Sequence, residues 1–561
     1  MPETPWWKRG VIYQIAVSSF ADANGDGRGD LRGIIERLDY LNDGTDASLG
    51  VDAIWLTPIN TSPLSDFGYD VSDYRSIDPR FGTMQDFEDL LEECHRRGMR
   101  VVMDLVLNHT SIEHPWFVES RSSLGNPKRD WYIWRDARSP GKPPNSWVAV
   151  VEGSAWKYDT TTGQYYYHAF LPFQPDLNWR NPEVREEMFS IARYWLDKGV
   201  DGFRLDLVNC LYEDAELRNN PPKLGPRPYL AQKHLHDLSQ PENLEIAAEL
   251  RRLVEDFGER VLMGEVLTLT PDVCIDYLGN GSDRLHLSFY MEFVRNKWNA
   301  EAFRTSVRWL EENIPAEGWP CYYLNNHDLA RSFTRLGGAH PRARAKVAAA
   351  MLLTLRGTPI LYYGEEIGMP SSRIPRKLID DPVGRKFWPL RVGRDGSRTP
   401  MHWSAAENAG FTAWQSWLPV DSSYRTRNVE QLNAMPDSLL NWYRRLLGAR
   451  KANPALNSGD YSEIDGVPKG VFAYTRRAGA EEVAVYLNLT ERRVACPRPP
   501  ELAAGRAWRV LLSTHGADVA RELSEIRLMP NEALLLEAIR KQGRSGQGRF
   551  DEPCPDARLR V

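Results

Sequence analysis

Eight short apolar runs, rich in β-branched residues and alternating with segments of helical period, constrain this chain more than any other feature. They are Val11 to Val17, Val51 to Thr57, Arg100 to Val106 and Gly202 to Leu207, followed by Val261 to Val266, Leu285 to Tyr290, Tyr322 to Asn326 and Thr358 to Tyr363. Among the intervening helices, Asp86 to Arg97 and Pro182 to Lys198 are clearest. The second carries proline in its first turn, where the missing N–H has no helical partner to lose. Eight strands separated by helices predict an α/β fold, a (β/α)8 TIM barrel.

Two interruptions break the repeat. The stretch from Asn108 to Asn181, after the third strand, is rich in Trp, Tyr, Pro and Gly. It is too long for a bare loop and predicts a small inserted domain over residues 109–175. A second irregular stretch, Gly368 to Pro419, follows strand eight. Both leave from C-terminal strand ends, the face where TIM barrels place their active sites. The barrel then comprises residues 1–108 and 176–458. After the helix Ser438 to Lys451 the pattern turns to strands at Val471 to Thr475, Glu482 to Leu489, Trp508 to Ser513 and Glu532 to Ala538. These predict a C-terminal all-β, sandwich-like domain over 459–540. The polar residues 541–561, with their Gly and Pro, are expected to be disordered.

Charge and apolar patterning narrow the partners. A net charge of −6 over 561 residues gives no basis for binding nucleic acid or an anionic membrane. No run of about 18 apolar residues occurs, so no membrane span is expected, and Met1 to Gly10 holds no secretory apolar core. The six cysteines have neither metal nor disulfide-framework spacing. They read as reduced thiols in a cytoplasmic protein. Oligomeric state leaves no mark in the sequence.

The chemistry gathers where strands end. Strand three ends in Asp104, Asn108 and His109; strand four carries Arg204 and Asp206; strand five ends in Glu265; strand seven ends in Asn326, His327 and Asp328. Carboxylates in apolar strands are costly unless paired or functional. Single ones are more often structural ion pairs, but three on neighbouring strand ends point to a site. Cleaving a glycosidic acetal needs an acid for the leaving oxygen and an anion for the oxocarbenium carbon. Two carboxylates about 5–5.5 Å apart do this with retention. Arg204, two residues before Asp206, shares its strand face and is expected to keep Asp206 ionised. Glu265 lies among Val261, Leu262, Met263 and Val266, surroundings that raise a carboxyl pKa and suit a proton donor.

The segments DLVLNHTS, GFRLDLVN, MGEV and YLNNHD resemble the four signature regions of the α-amylase clan, glycoside hydrolase family 13, and QPDLN, Gln174 to Asn178, resembles its fifth. The resemblance spans about Trp6 to Leu536. It implies Asp206 as nucleophile, Glu265 as acid/base and Asp328 as the carboxylate gripping two sugar hydroxyls. It further implies His109, His327, Arg204, Asp66, Tyr69 and Arg398 as the subsite for a non-reducing glucose. Asp66 and Tyr69 in DFGYDVSDY and the QPDLN segment with Gln174 are similar to those of exo-acting α-glucosidases and oligo-1,6-glucosidases. Leu207 stands where such relatives carry Val or a smaller residue, which leaves linkage preference open. Val151 stands where relatives often have Phe, and Phe170 keeps the other aromatic of that wall.

The loop DANGDGRGD presents oxygens at Asp22, Asn24, Asp26 and Asp30, with the Arg28 carbonyl, at positions 1, 3, 5, 9 and 7 of a calcium loop. Gly27 occupies the sharp sixth position, and Gly33 replaces the bidentate Glu of the twelfth. A structural Ca2+, or Mg2+, is expected there, and no organic cofactor. The leading reading is a retaining hydrolase of short α-glucosides. A transglucosylase or isomerase on the same site is the nearest rival. A non-catalytic transporter partner is disfavoured, since the three carboxylates are kept and no span is present.

Overall fold

The computed structural model describes residues 4–151, 153–267, 270–499, 506–516 and 526–540. All eight expected strands form: β1 (Ile12–Ile15), β2 (Ala53–Leu56), β3 (Arg100–Leu105), β4 (Gly202–Leu205), β5 (Val261–Gly264), β6 (Leu287–Ser288), β7 (Cys321–Tyr323) and β8 (Thr358–Tyr362). They pair in parallel in the order β6-β5-β4-β3-β2-β1-β8-β7. Across the remaining gap the Tyr290 N–H donates to the Cys321 carbonyl at 3.3 Å, so the barrel is nearly closed.

Several apolar runs overshoot their strands at the C-terminal end, β4 stopping before Asp206 and β5 before Glu265. Apolar composition reports burial, not ladder pairing, and these residues stay buried as the chain turns over the barrel mouth. The outer helices start on side-chain caps. Thr83 and Asp86 form a capping box on Met84–Arg96, Asn181 caps Pro182–Asp197, and Ser438 caps Leu439–Ala452. Each supplies an acceptor to an otherwise orphaned N–H, typically ~1 kcal/mol. On the first of these helices Phe87, Leu90, Leu91 and Cys94 form the buried stripe.

The insertion after β3 holds the helix Pro115–Ser120 and an antiparallel sheet of Trp134–Arg135, Tyr165–Tyr167 and Trp156–Tyr158. Phe117 stacks on Trp134 with ring centroids 5.6 Å apart, and Tyr166 meets both edge-on. Bridges from His109 to Asp176 and from Tyr132 to Leu177 return the segment to its origin. That closure holds the aromatic insert over the mouth of β3.

The C-terminal domain is an antiparallel sheet of β9 (Asp460–Glu463), β10 (Val471–Ala478), β11 (Glu481–Asn488), β12 (Arg506–Ser513) and β13 (Ala533–Arg540), in the order β9-β10-β11-β13-β12. A two-stranded ladder, Val494–Cys496 with Ile526–Leu528, lies beside it. One fully buried arginine of β10 ties it to the barrel: Arg476 donates to the carbonyl of Thr354 as well as to that of Gly459. The tail 541–561 expected to be disordered lies outside the described residues. Among the described residues no helix is long and apolar enough to cross a membrane.

Candidate active site

One guanidinium organises the centre of the barrel mouth. Arg204 of β4 is fully buried and lies in register with Asp104 of β3. Its Nη1 donates to Asp104 Oδ1 at 2.5 Å and to Asp206 Oδ1 at 2.9 Å, while Nη2 donates to Glu265 Oε2. Asp206 and Glu265, from successive strands, therefore meet on one planar group. Two residues past the end of the strand stands Leu207, whose backbone is left-handed (φ 39°, ψ 53°) and opens a short 3₁₀ turn. A branched residue there is strained by about 1–2 kcal/mol, and packing holds it. Leu207 is half-buried against the insert's cluster, which includes Phe170.

A second group of charges lies beside the first. Asp66 accepts from Gln174 Nε2 at 3.0 Å and from Arg394 Nη2. Arg394 also reaches Asp328 Oδ1 at 3.2 Å and Asp381 Oδ1 at 3.0 Å. Arg398 donates to the same Asp328 oxygen at 2.8 Å and to the His327 carbonyl at 2.7 Å. Tyr69 stacks on His327 at 5.4 Å, and its hydroxyl lies 2.7 Å from His327 Nε2 and 3.1 Å from Asp104. His109 Nε2 lies 3.2 Å from the Tyr69 carbonyl, and the Phe170 ring is 5.4 Å from the His109 ring.

All twelve residues expected around the sugar thus lie in one connected network. Arg394, Asp381 and Gln14, whose Nε2 sits 2.7 Å from His327 Nδ1, were not foreseen. Arg394 stands four residues before Arg398 in an aperiodic loop, and nothing local in RDGSRTP distinguishes the two arginines.

The alpha-amylase catalytic-domain family model matches residues 14–459. The chain belongs to the alpha-amylase family. It is 42% identical over 505 residues to a probable alpha-glucosidase of Rhizobium meliloti, covering 87% of this chain and 90% of the relative. It is 41% identical to an oligo-1,6-glucosidase of Parageobacillus thermoglucosidasius, covering 95% of this chain and 98% of that one. Among solved structures, the alpha-glucosyl transfer enzyme XgtA superposes with a TM-score of 0.89 at 40% identity, covering 96% of this chain and 100% of XgtA. This alpha-amylase family member is a glycoside hydrolase.

Burial pushes both central carboxyls of the hydrolase up, Glu265 to about 7, while Arg204 pulls each back. The expectation that Arg204 keeps Asp206 simply ionised is corrected here: its carboxyl lies well above the usual range. One guanidinium shared among Asp104, Asp206 and Glu265 does not offset the burial of all three. The pair titrates as a unit and holds a proton into the neutral range. At Asp328 burial also opposes the charge, yet His327, Arg394 and Arg398 together hold it well below the usual carboxylate range. Burial keeps His327 itself neutral, so the two arginines are the main counter-charges. His109, lowered to about 4 by burial, is neutral too.

The Asp22–Asp30 loop is folded on its own side chains. Asp22 accepts from the N–H groups of Gly25 and Gly27, Asn24 from Asp26, and Asp26 from Arg28, while Asp30 accepts from Ala23, Asn24 and Gly33. Each oxygen-bearing side chain keeps an acceptor lone pair beyond these bonds. Such an oxygen-only set fits a hard cation rather than a transition metal. Among the described residues no group of three or more His, Cys, Asp or Glu is drawn together as a metal centre.

Proposed function

We propose that this family member is a retaining, exo-acting α-glucosidase that removes glucose from the non-reducing end of short α-glucosides. The observation that carries the reading is the placement of Asp206 and Glu265 on the two ends of one guanidinium. That arrangement suits the close carboxylate spacing of retaining enzymes, about 5–5.5 Å, rather than the water-spanning distance of inverting ones. In the first step Glu265 gives its proton to the glycosidic oxygen as Asp206 attacks C1. The C1–O bond breaks and a glucosyl ester forms. In the second, Glu265 takes a proton from water, the water oxygen attacks C1, and the ester bond breaks to restore Asp206.

Asp328 and Asp66 are the acceptors for the hydroxyls of the bound glucose, Tyr69 and Phe170 its aromatic walls, and neutral His109 and His327 its donors. The Asp66–Arg394–Asp328 bridge closes the sugar end, so a chain enters by its terminus instead of threading through. With maltotetraose, glucose and maltotriose are the expected first products, the glucose appearing as the α-anomer. Maltose first, or β-glucose, overturns the reading. A panel of maltose, isomaltose, kojibiose, nigerose, sucrose and trehalose then ranks the linkages that Leu207 admits.

The likeness to an alpha-glucosyl transfer enzyme favours a second reading, in which a sugar hydroxyl replaces water in the second step. Predominance of new disaccharides over free glucose at high substrate concentration decides for it. We further place Ca2+, or Mg2+ in its stead, in the Asp22–Asp30 loop as a structural ion. The free cysteines among the described residues suit a cytoplasmic protein.

A further inference from the structure

A cavity of about 440 Å3 lies outside the barrel mouth, between the helix Pro341–Thr354, the start of Leu439–Ala452 and the irregular segment before it. Three cations line it: Arg342, Lys346 and Arg427. Among the described residues none of them is in an ion pair. Arg342 has no hydrogen-bond or ion-pair partner among the described residues. Among the described residues Lys346 Nζ is met only by the Asp437 backbone carbonyl, at 2.6 Å, and Arg427 Nη1 by the Gly368 carbonyl at 2.9 Å. Asp437 is the sole carboxylate in the lining, with Asp421 near Arg427 and a further cation, Arg445, near Lys346. Elsewhere on this surface arginines find carboxylates readily, as Arg344 does with Glu491 at 3.1 Å.

The floor is apolar. Phe333, Ile367, Leu432 and Leu439 form it, with Arg427 stacked over the Phe333 ring at 4.2 Å and the exposed Met435 at the rim. A cavity of this volume is of small-molecule size. Cations that outnumber the nearby carboxylates and pair directly with none of them, above an apolar floor, select a ligand that carries negative charge on an apolar body. A bare inorganic anion leaves the floor wet, and a neutral apolar molecule leaves the cations unpaired.

We propose that this cavity is a second ligand site, separate from the barrel mouth, for an amphipathic organic anion: an apolar body bearing a carboxylate or phosphate. Phe333 belongs to the helix Ser332–Gly337. That helix follows the turn carrying His327 and Asp328, so occupancy reaches the sugar-binding end through one short connection.

Calorimetric titration of the full chain with octanoate, phenyl phosphate, inorganic phosphate and octanol tests this, with saturating glucose present to fill the barrel mouth. Octanoate or phenyl phosphate is expected to bind with one site per chain, at least tenfold tighter than either inorganic phosphate or octanol. Arg342→Ala with Lys346→Met is expected to weaken that binding at least tenfold while leaving the thermal midpoint near that of the parent. Leu432→Gln, which wets the floor, is a second variant expected to weaken it without removing charge. Equal binding of inorganic phosphate, binding indifferent to these substitutions, or no binding of either organic anion at millimolar concentration overturns the proposal.

Discussion

The two halves of the barrel mouth use the same residue types in different proportions. At the reacting end, Asp104, Asp206 and Glu265 share the single guanidinium of Arg204. At the other end, Asp66, Asp328 and Asp381 share two guanidiniums, Arg394 and Arg398, and Asp328 meets both. Asp104, Asp206 and Glu265 are almost fully buried, whereas the Asp328 side chain keeps 33% of its surface exposed, so the share of cations and the exposure both favour charge at Asp328. The reacting end keeps a proton and Glu265 titrates near 7, whereas Asp328 stays firmly ionised. A pocket that must move a proton is left short of cations. One that must present a fixed acceptor to hydroxyls is supplied with them.

Removing the proposed nucleophile tests the contrast most severely. Asp206→Ala is expected to lower kcat roughly 10⁴- to 10⁶-fold while binding glucose through an intact gripping end. Residual turnover within tenfold of the parent contradicts the assignment of roles. Glu265→Gln comes next, with an expected loss of roughly 10²–10⁴-fold, smaller for a 4-nitrophenyl glucoside whose leaving group needs little protonation. In the proposed mechanism the active form of Glu265 carries the proton, so kcat/KM of the parent should fall as pH rises through about 7. In E265Q that alkaline limb should vanish, and its persistence assigns the proton elsewhere.

Arg394→Met acts on the other half. Hydrogen bonds to charged groups contribute about 1.5–3 kcal/mol each, so KM for maltose is expected to rise roughly 10- to 100-fold. The alkaline limb should not move, because Arg394 touches neither reacting carboxyl. A shifted limb shows that the halves are electrostatically one. The smallest effect is reserved for the Asp22–Asp30 loop. Chelation followed by Ca2+ addition should move the thermal midpoint by only ~1 °C per kcal/mol in a chain of this length, since the shift shrinks as the unfolding entropy grows with size, with the pH profile unchanged. No shift on chelation argues against the ion.

The sequence by itself determined the strand count, the inserted aromatic segment and the carboxylates at the strand ends. Each is written locally: apolar runs must be buried, long Trp- and Tyr-rich stretches must fold on themselves, and a charge in an apolar run needs a reason. It did not reveal Arg394, since a loop arginine with no periodicity shows its partners only when Asp66, Asp328 and Asp381 are brought to it. Nor could it settle the protonation of Asp206. Proximity of Arg204 along one strand was legible, but the share of that cation taken by Asp104 and Glu265, and the depth of their common burial, are sums over neighbouring strands. Such sums exist only once the barrel has closed.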